Sequence, residues 1–312
     1  MKTQEMLVSD DGALKIPSGF LSPGYIATAT CIGYVNRVNA ITYDDPDKHE
    51  GLFEAFQVPF CLFGLDSYGN SRINAGTRYS PMQMLETPQD VDRATTVTTS
   101  CIRQHVENLP GVGKLCDVVG ELHDNVRAHA NGAGFSMALI WRHMGGPEDV
   151  IEFAITDAGQ GFLRECRRRG VPEVDDHQSA IDWCLRPRHS TKDRDQDEFS
   201  QQIAEDAIGN PFVNGVEVHP RYDGNHHQGL GLAHLMNLVR TYQGDLWVAS
   251  GDNVLISNEN TRSYSEFGIY EAIPYWQGVA IACKLKISEL GRNVEEEQLT
   301  QEVQNILEDL IG

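Results

Sequence analysis

Long apolar runs are missing from this chain of 312 residues. Its uninterrupted hydrophobic stretches, such as MALIW at 137–141, are far too short to cross a bilayer, and the start MKTQEMLVSDDGALKIP has no apolar signal core. Membrane insertion is therefore not expected. Positive charge is also scarce: 25 Lys and Arg stand against 45 Asp and Glu, a formal charge of −20 that repels nucleic-acid backbones and anionic membrane surfaces. Cysteine is sparse, with seven residues and no C-x-x-C pair, which fits reduced thiols better than disulfides or structural zinc and points to the cytoplasm. Internal repeats are absent. What remains is a chain with 40% hydrophobic residues, enough for one large domain or two modest ones.

The first ninety residues form an N-terminal region (1–90) with Gly and Pro punctuation and no catalytic pattern. Helices are expected after Ser22-Pro23 and after Asp45-Pro46, where a capping residue precedes a proline suited to a first helical turn. The polar stretch GLDSYGNSRINAGTRYSPMQ, 64–83, reads as a linker or long surface loop. From about residue 91 the pattern changes to helix (VDRATTVTTSCIRQHVENL), a Pro-Gly break, helix (GVGKLCDVVGELHDNVRAHAN), and the strands GFSMALIWRH and DVIEFAIT. Past a long polar section come a helix QGLGLAHLMNLVRTYQG, a strand DLWVAS and a last strand GVAIACKLKI. The acidic tail, 291–312, carries apolar residues at helical spacing and is expected to be a helix that docks on its own domain or on a partner.

Three short segments carry the chemistry. In ELHDNVRAH, Glu121, Asn125 and His129 recur every four residues and share one helical face within roughly 80°. The Asn125 side-chain oxygen is a sensible magnesium ligand, and Glu121, one turn earlier, could polarise a water or orient an acceptor hydroxyl. In DAGQGF, Asp157 sits at a strand end where its carboxylate can accept a hydrogen bond from the amine of adenine. Gly159 and Gly161 are expected to turn with positive φ and approach a base or ribose. In QGLGL, Gly229 and Gly231 open a helix whose free N–H groups suit phosphate. Each segment alone is compatible with an ordinary surface helix, a capped turn or a flexible loop. Together they assign complementary jobs around one ligand.

In this order the three segments resemble the GHKL ATPase superfamily, which includes gyrase, MutL, heat-shock chaperones, sensor histidine kinases and anti-sigma-factor kinases. Its asparagine box is matched by Glu121, Asn125 and His129, its first glycine box by Asp157, Gly159 and Gly161, and its second by Gly229 and Gly231. The resemblance implies an α/β fold, the Bergerat two-layer sandwich with a mixed sheet and helices on one face, over 91–290. It also implies ATP and magnesium as cofactors, magnesium on Asn125, adenine on Asp157, and a mobile lid between the glycine boxes. That lid, 163–228, is longer than in many family members. Within it RPRHSTKDRD concentrates basic residues, and Lys192 is the candidate contact to the terminal phosphate. His226 and His227 adjoin the second glycine box, but two neighbouring histidines alone do not make a metal site.

A sensor histidine kinase also needs a phosphoacceptor histidine in a dimerisation hairpin. His105 is the candidate, yet Pro110 and Gly111 end its helix too early. No transducer domain is expected after residue 290. The leading expectation is an ATP hydrolase in which Glu121 is catalytic and lid closure reports to a protein partner. A cytosolic Ser/Thr kinase and a non-catalytic ATP/ADP sensor are the alternatives, and a homodimer remains open.

Overall fold

The computed structural model describes residues 7–106, 108–130, 132–142, 148–186, 231–258, 267–268 and 275–293. The chain begins with a strand β1 (Ala13–Ile16) and a helix α1 (Pro23–Val35). The Ser22 hydroxyl accepts the Tyr25 N–H at 3.3 Å and Pro23 occupies the first turn, so this helix starts where its cap dictates. A strand β2 (Ala40–Tyr43) pairs with β1 in parallel, and two short helices follow, α2 (Pro46–Ala55) and α3 (Val58–Phe63). The polar stretch expected as a loop over 64–83 is a docked loop as far as residue 82, and Gln83 already begins the next strand. Arg72 reaches the Glu54 and Ala55 carbonyls of α2 while paired to Asp66, and Ser80 N–H donates to the Ala138 carbonyl at 2.9 Å.

Strand β3 (Gln83–Leu85) leads into α4 (Pro88–His105), which opens with a reciprocal Thr87–Asp90 capping box. Helix α5 (Pro110–Asn125) ends in a π turn at Val126–Ala130. Strands β4 (Gly134–Arg142) and β5 (Asp149–Asp157) follow, then two helices in the first part of the expected lid, α6 (Gly161–Arg168) and α7 (His177–Leu185). Helix α8 (Gly231–Thr241), strands β6 (Asp245–Gly251), β7 (Asn253–Ser257), β8 (Phe267–Gly268) and β9 (Trp276–Lys286), and a short α9 (Ile287–Leu290) complete the described chain.

The α/β class holds, with two corrections to the expected architecture. The large sheet runs β3-β4-β5-β9-β6-β7-β8 and every described pairing in it is antiparallel, so it is not mixed. Strands that follow one another closely, such as β6 and β7 around the two-residue turn at Gly251 (φ 70°), must reverse direction. Nor do helices cover only one face. Helices α4, α5 and α8 pack on one side against Ile151, Phe153, Ile155, Ile281 and Cys283. On the other side α1 packs against Phe135, Met137 and Ala154. Strand β5 shows the consequence: apart from Asp149 it is buried along its whole length, as a strand covered on both faces must be.

The N-terminal elements therefore share one core with the sheet, and β3 joins that sheet before the boundary expected near residue 90. Among the described residues no helix is long and apolar enough to cross a membrane. None of the seven cysteines, all among the described residues, forms a disulfide. The acidic tail from 294 onward lies outside the described residues.

Phe135, fully buried and edge-on to Tyr34 of α1 at 5.4 Å, ties the two parts together. Phe135→Ala is predicted to destabilise the protein by about 3–5 kcal/mol, with far- and near-ultraviolet dichroism lost in a single urea transition. A separate early transition of the N-terminal region would show that the two cores are independent.

Candidate functional site

Helix α5 delivers the first set of candidates. Glu121 and Asn125 lie on its last turns, but His129 lies on the π turn beyond it rather than on a continued α-helix. The wider turn keeps His129 in use at the site: Asn125 and His129 line one cavity together with Asp157 and Gly161. His123, on the buried side of the same helix, is held between Thr95 and Ser136 hydroxyls at 2.9 and 2.7 Å. Burial depresses it to about 3, so it is a neutral core residue.

The cavity measures about 100 Å³, with walls that include Leu122, Ile155, Phe162, Trp183 and Val279. An engineered cavity of ~150 Å³ admits a benzene ring, so this space is on the scale of one planar ring. Asp157 closes its floor at the end of β5, 5% exposed, with the Gly159 N–H donating to its carboxylate at 2.8 Å. Burial raises it to about 7, against the pull of the Gly159 and Val279 N–H groups. A buried carboxylate with spare acceptor capacity on an apolar floor is chemically matched to an exocyclic amine.

The glycines serve the chain's own backbone as much as any ligand. Gly161 has the expected positive φ, 69°, and a Cβ there would lie 2.6 Å from the Gln277 carbonyl. Gly159 does not have a positive φ. It is required because a Cβ would fall 2.0 Å from the Ala130 carbonyl, where the π turn crosses the loop. Gly278, which sequence reasoning missed, brings β9 so close that a Cβ would sit 2.1 Å from the Asp157 carbonyl.

Gly231 brings the start of α8 to the first box. A Cβ on it would lie 3.0 Å from the Asn125 amide nitrogen and 3.1 Å from the Glu121 Cβ. One turn into α8, His234 Nδ1 lies 3.0 Å from the Glu121 carboxylate. A carboxylate only accepts, so His234 carries its proton on Nδ1 and orients Glu121. Gly229, Lys192, His226 and His227 lie outside the described residues, as do 187–228 of the lid.

A second residue missed from sequence is Glu165 of α6, 6% exposed, which also lines the cavity. Burial works to raise it, but hydrogen bonds from His129 (3.1 Å) and Arg168 (2.9 Å) prevail and hold it well below the usual carboxylate range. His129 is thereby committed through Nδ1 to Glu165. The signal was Glu165 followed by Arg168 and Arg169 at ion-pairing helical spacing.

Among the described residues no group of three or more His, Cys, Asp or Glu side chains could hold a metal on its own. The Asn125 amide oxygen suits a magnesium ion that takes its other ligands from phosphate and water. Compared with known proteins, the chain matches no family model, no curated protein and no solved structure.

The burial of Asp157 gives a pH signature. Its folded-state proton is kept to about pH 7, whereas the unfolded carboxylate loses it near 3.8. Between those values the folded state binds more protons, so stability falls as pH rises through the window and levels off above it. Asp157→Asn has no such proton to lose. Urea midpoints are expected to favour the variant progressively from about pH 4 to about pH 7; parallel curves would show that Asp157 is not buried in this way.

Proposed function

We propose that this chain is a magnesium-dependent adenine-nucleotide-binding protein of the GHKL type, with a Bergerat-like sandwich built from α4, α5, α8 and the strands β4, β5, β9 and β6. The observation that carries the reading is convergence. Asp157 from one segment and Asn125 from another line one ring-sized apolar cavity, and Gly231 from a third stands against Asn125 and Glu121. Three segments far apart in sequence thus converge on one cavity, which supports a site shared by a base and a phosphate at a helix start.

In this reading the ring of the base lies between apolar walls and donates its amine to the Asp157 carboxylate. The base edge is selected by charge: an ionised acceptor favours adenine and disfavours a keto oxygen at the same position. The start of α8 offers N–H groups to phosphate oxygens. The Asn125 amide oxygen would hold magnesium, which would supply charge neutralisation to the phosphates when bound. Glu121, oriented by the His234 Nδ1–H, accepts a proton from the attacking water. The reaction is ATP hydrolysis, and lid residues from α6 and α7 onward transmit nucleotide occupancy to a protein partner in the cytoplasm.

The test combines binding and turnover. Asp157→Asn is expected to weaken ATP binding by about tenfold or more, measured by calorimetry. Glu121→Ala is expected to bind ATP like the parent and to lower phosphate release by about 100-fold or more. Parent-like hydrolysis by both variants contradicts the assignment. Binding without turnover in the parent moves the reaction to phosphoryl transfer onto a partner protein or to nucleotide sensing.

A further inference from the structure

The face of the sheet opposite Asp157 holds a larger cavity, about 480 Å³, between the start of α1 and strands β4, β5, β9 and β6. Its origin is visible in the sequence. On this face β6 and β9 carry Ala249, Ala280 and Ala282, where the opposite face carries Val248, Ile281 and Cys283, so the floor is built of small side chains; α1 meets it closely at one point, where a Cβ on Gly24 would lie 2.9 Å from the Ala282 Cβ. Around that floor stand Phe20, Tyr25, Trp141 and Trp247. The Phe20 and Trp141 rings pack at 4.9 Å, yet Phe20 remains 54% exposed at the rim. Aromatic surface left open at the mouth of a cavity is a mark of binding rather than of core packing.

The polar groups here are few and of unequal sign. Glu152 of β5 is 4% exposed and faces the Trp141 indole and the Gly24 N–H. Lys284 is its cross-strand neighbour, but the ammonium is bound to Asp245 at 2.8 Å and rests 5.7 Å over the Trp247 ring. Two carboxylates therefore share one cation. Burial pushes Glu152 up to about 7, with Lys284 pulling it back only in part, so a buried negative charge here is under-compensated. The hydroxyls of Ser22 and Thr28 are already engaged with the α1 backbone. An anionic ligand would meet the excess carboxylate, whereas a cation would neutralise it and lie among aromatic faces that attract positive charge.

We propose that this cavity is a second small-molecule site, for an organic ammonium with a compact apolar body, its charge directed to Glu152 and its body enclosed by Phe20, Tyr25, Trp141 and Trp247. The site belongs jointly to the N-terminal region and the sheet, which gives residues 20–28 a ligand of their own. It stands independently of the nucleotide reading, because no residue of the asparagine or glycine boxes lines it.

Phenethylammonium, its neutral isostere 2-phenylethanol and the anion phenylacetate are suitable probes for the full-length protein, with binding followed by tryptophan fluorescence and ligand-observed NMR. The expected result is saturable binding of the ammonium, with the alcohol and the anion weaker by about tenfold or more. Glu152→Gln is expected to remove the preference for charge. Ala249→Leu, which fills the floor, is expected to abolish binding of all three probes while the urea midpoint stays at or above that of the parent. Equal binding of the three probes, an unchanged ammonium affinity in both variants, or no saturable binding up to about 10 mM would overturn the proposal.

Discussion

Strand β5 is covered on both faces, and its neighbour β9 on one face and in part on the other, and the rest of the molecule follows from that constraint. Side chains alternate along a strand, so each strand must satisfy two different neighbourhoods at once. On β5, Ile151, Phe153 and Ile155 enter the helical core, whereas Glu152 and Ala154 meet α1. On β9, Ile281 and Cys283 join the helical core and Ala280, Ala282 and Lys284 turn the other way. The two faces are not equivalent. One is filled by large aliphatic side chains with a ring-sized gap at the strand ends. The other is floored by alanines and leaves a wider chamber beneath α1.

Two carboxylates on a single strand, Glu152 and Asp157, are both buried and both raised to about 7 by burial. An odd separation along the strand sends them to opposite faces. Groups of this kind reduce stability at neutral pH unless something compensates their charge, and they are retained in folds chiefly where a ligand or proton makes use of them. Glu165 shows the contrast. It is equally buried but held low by the His129 and Arg168 hydrogen bonds, and so acts as a fixed anion that positions His129.

Four of the seven strands of the large sheet, β4, β5, β6 and β9, and most helix starts were legible in the sequence because their signals are local, whereas the short β3, β7 and β8 were not expected. Ser22-Pro23 and Asp45-Pro46 mark helix starts, and VIEFAIT and VAIACKL are apolar runs bounded by turn residues. That the sheet is covered on both sides was not anticipated, although VIEFAIT, nearly continuous in apolar residues, is the pattern of a strand without a solvent face. The passage from α-helix to π turn after Asn125 had no signal, since VRAHA contains neither glycine nor proline. Of the candidate site, Asn125, His129, Asp157 and Gly161 meet at one cavity, with Glu121 and Gly231 beside it. His234, Gly278 and Glu165 escaped because their roles depend on tertiary neighbours more than 30 residues away in sequence.

The central claim is that a buried, ionisable acceptor at the end of β5 reads the amine edge of adenine. Calorimetric titration of ATP and of GTP into the protein with magnesium, at about pH 8 so that Asp157 is ionised, tests it most directly. The account predicts one saturable ATP site and GTP binding weaker by about tenfold or more. Equal affinity for the two nucleotides, or no binding of either, would contradict it.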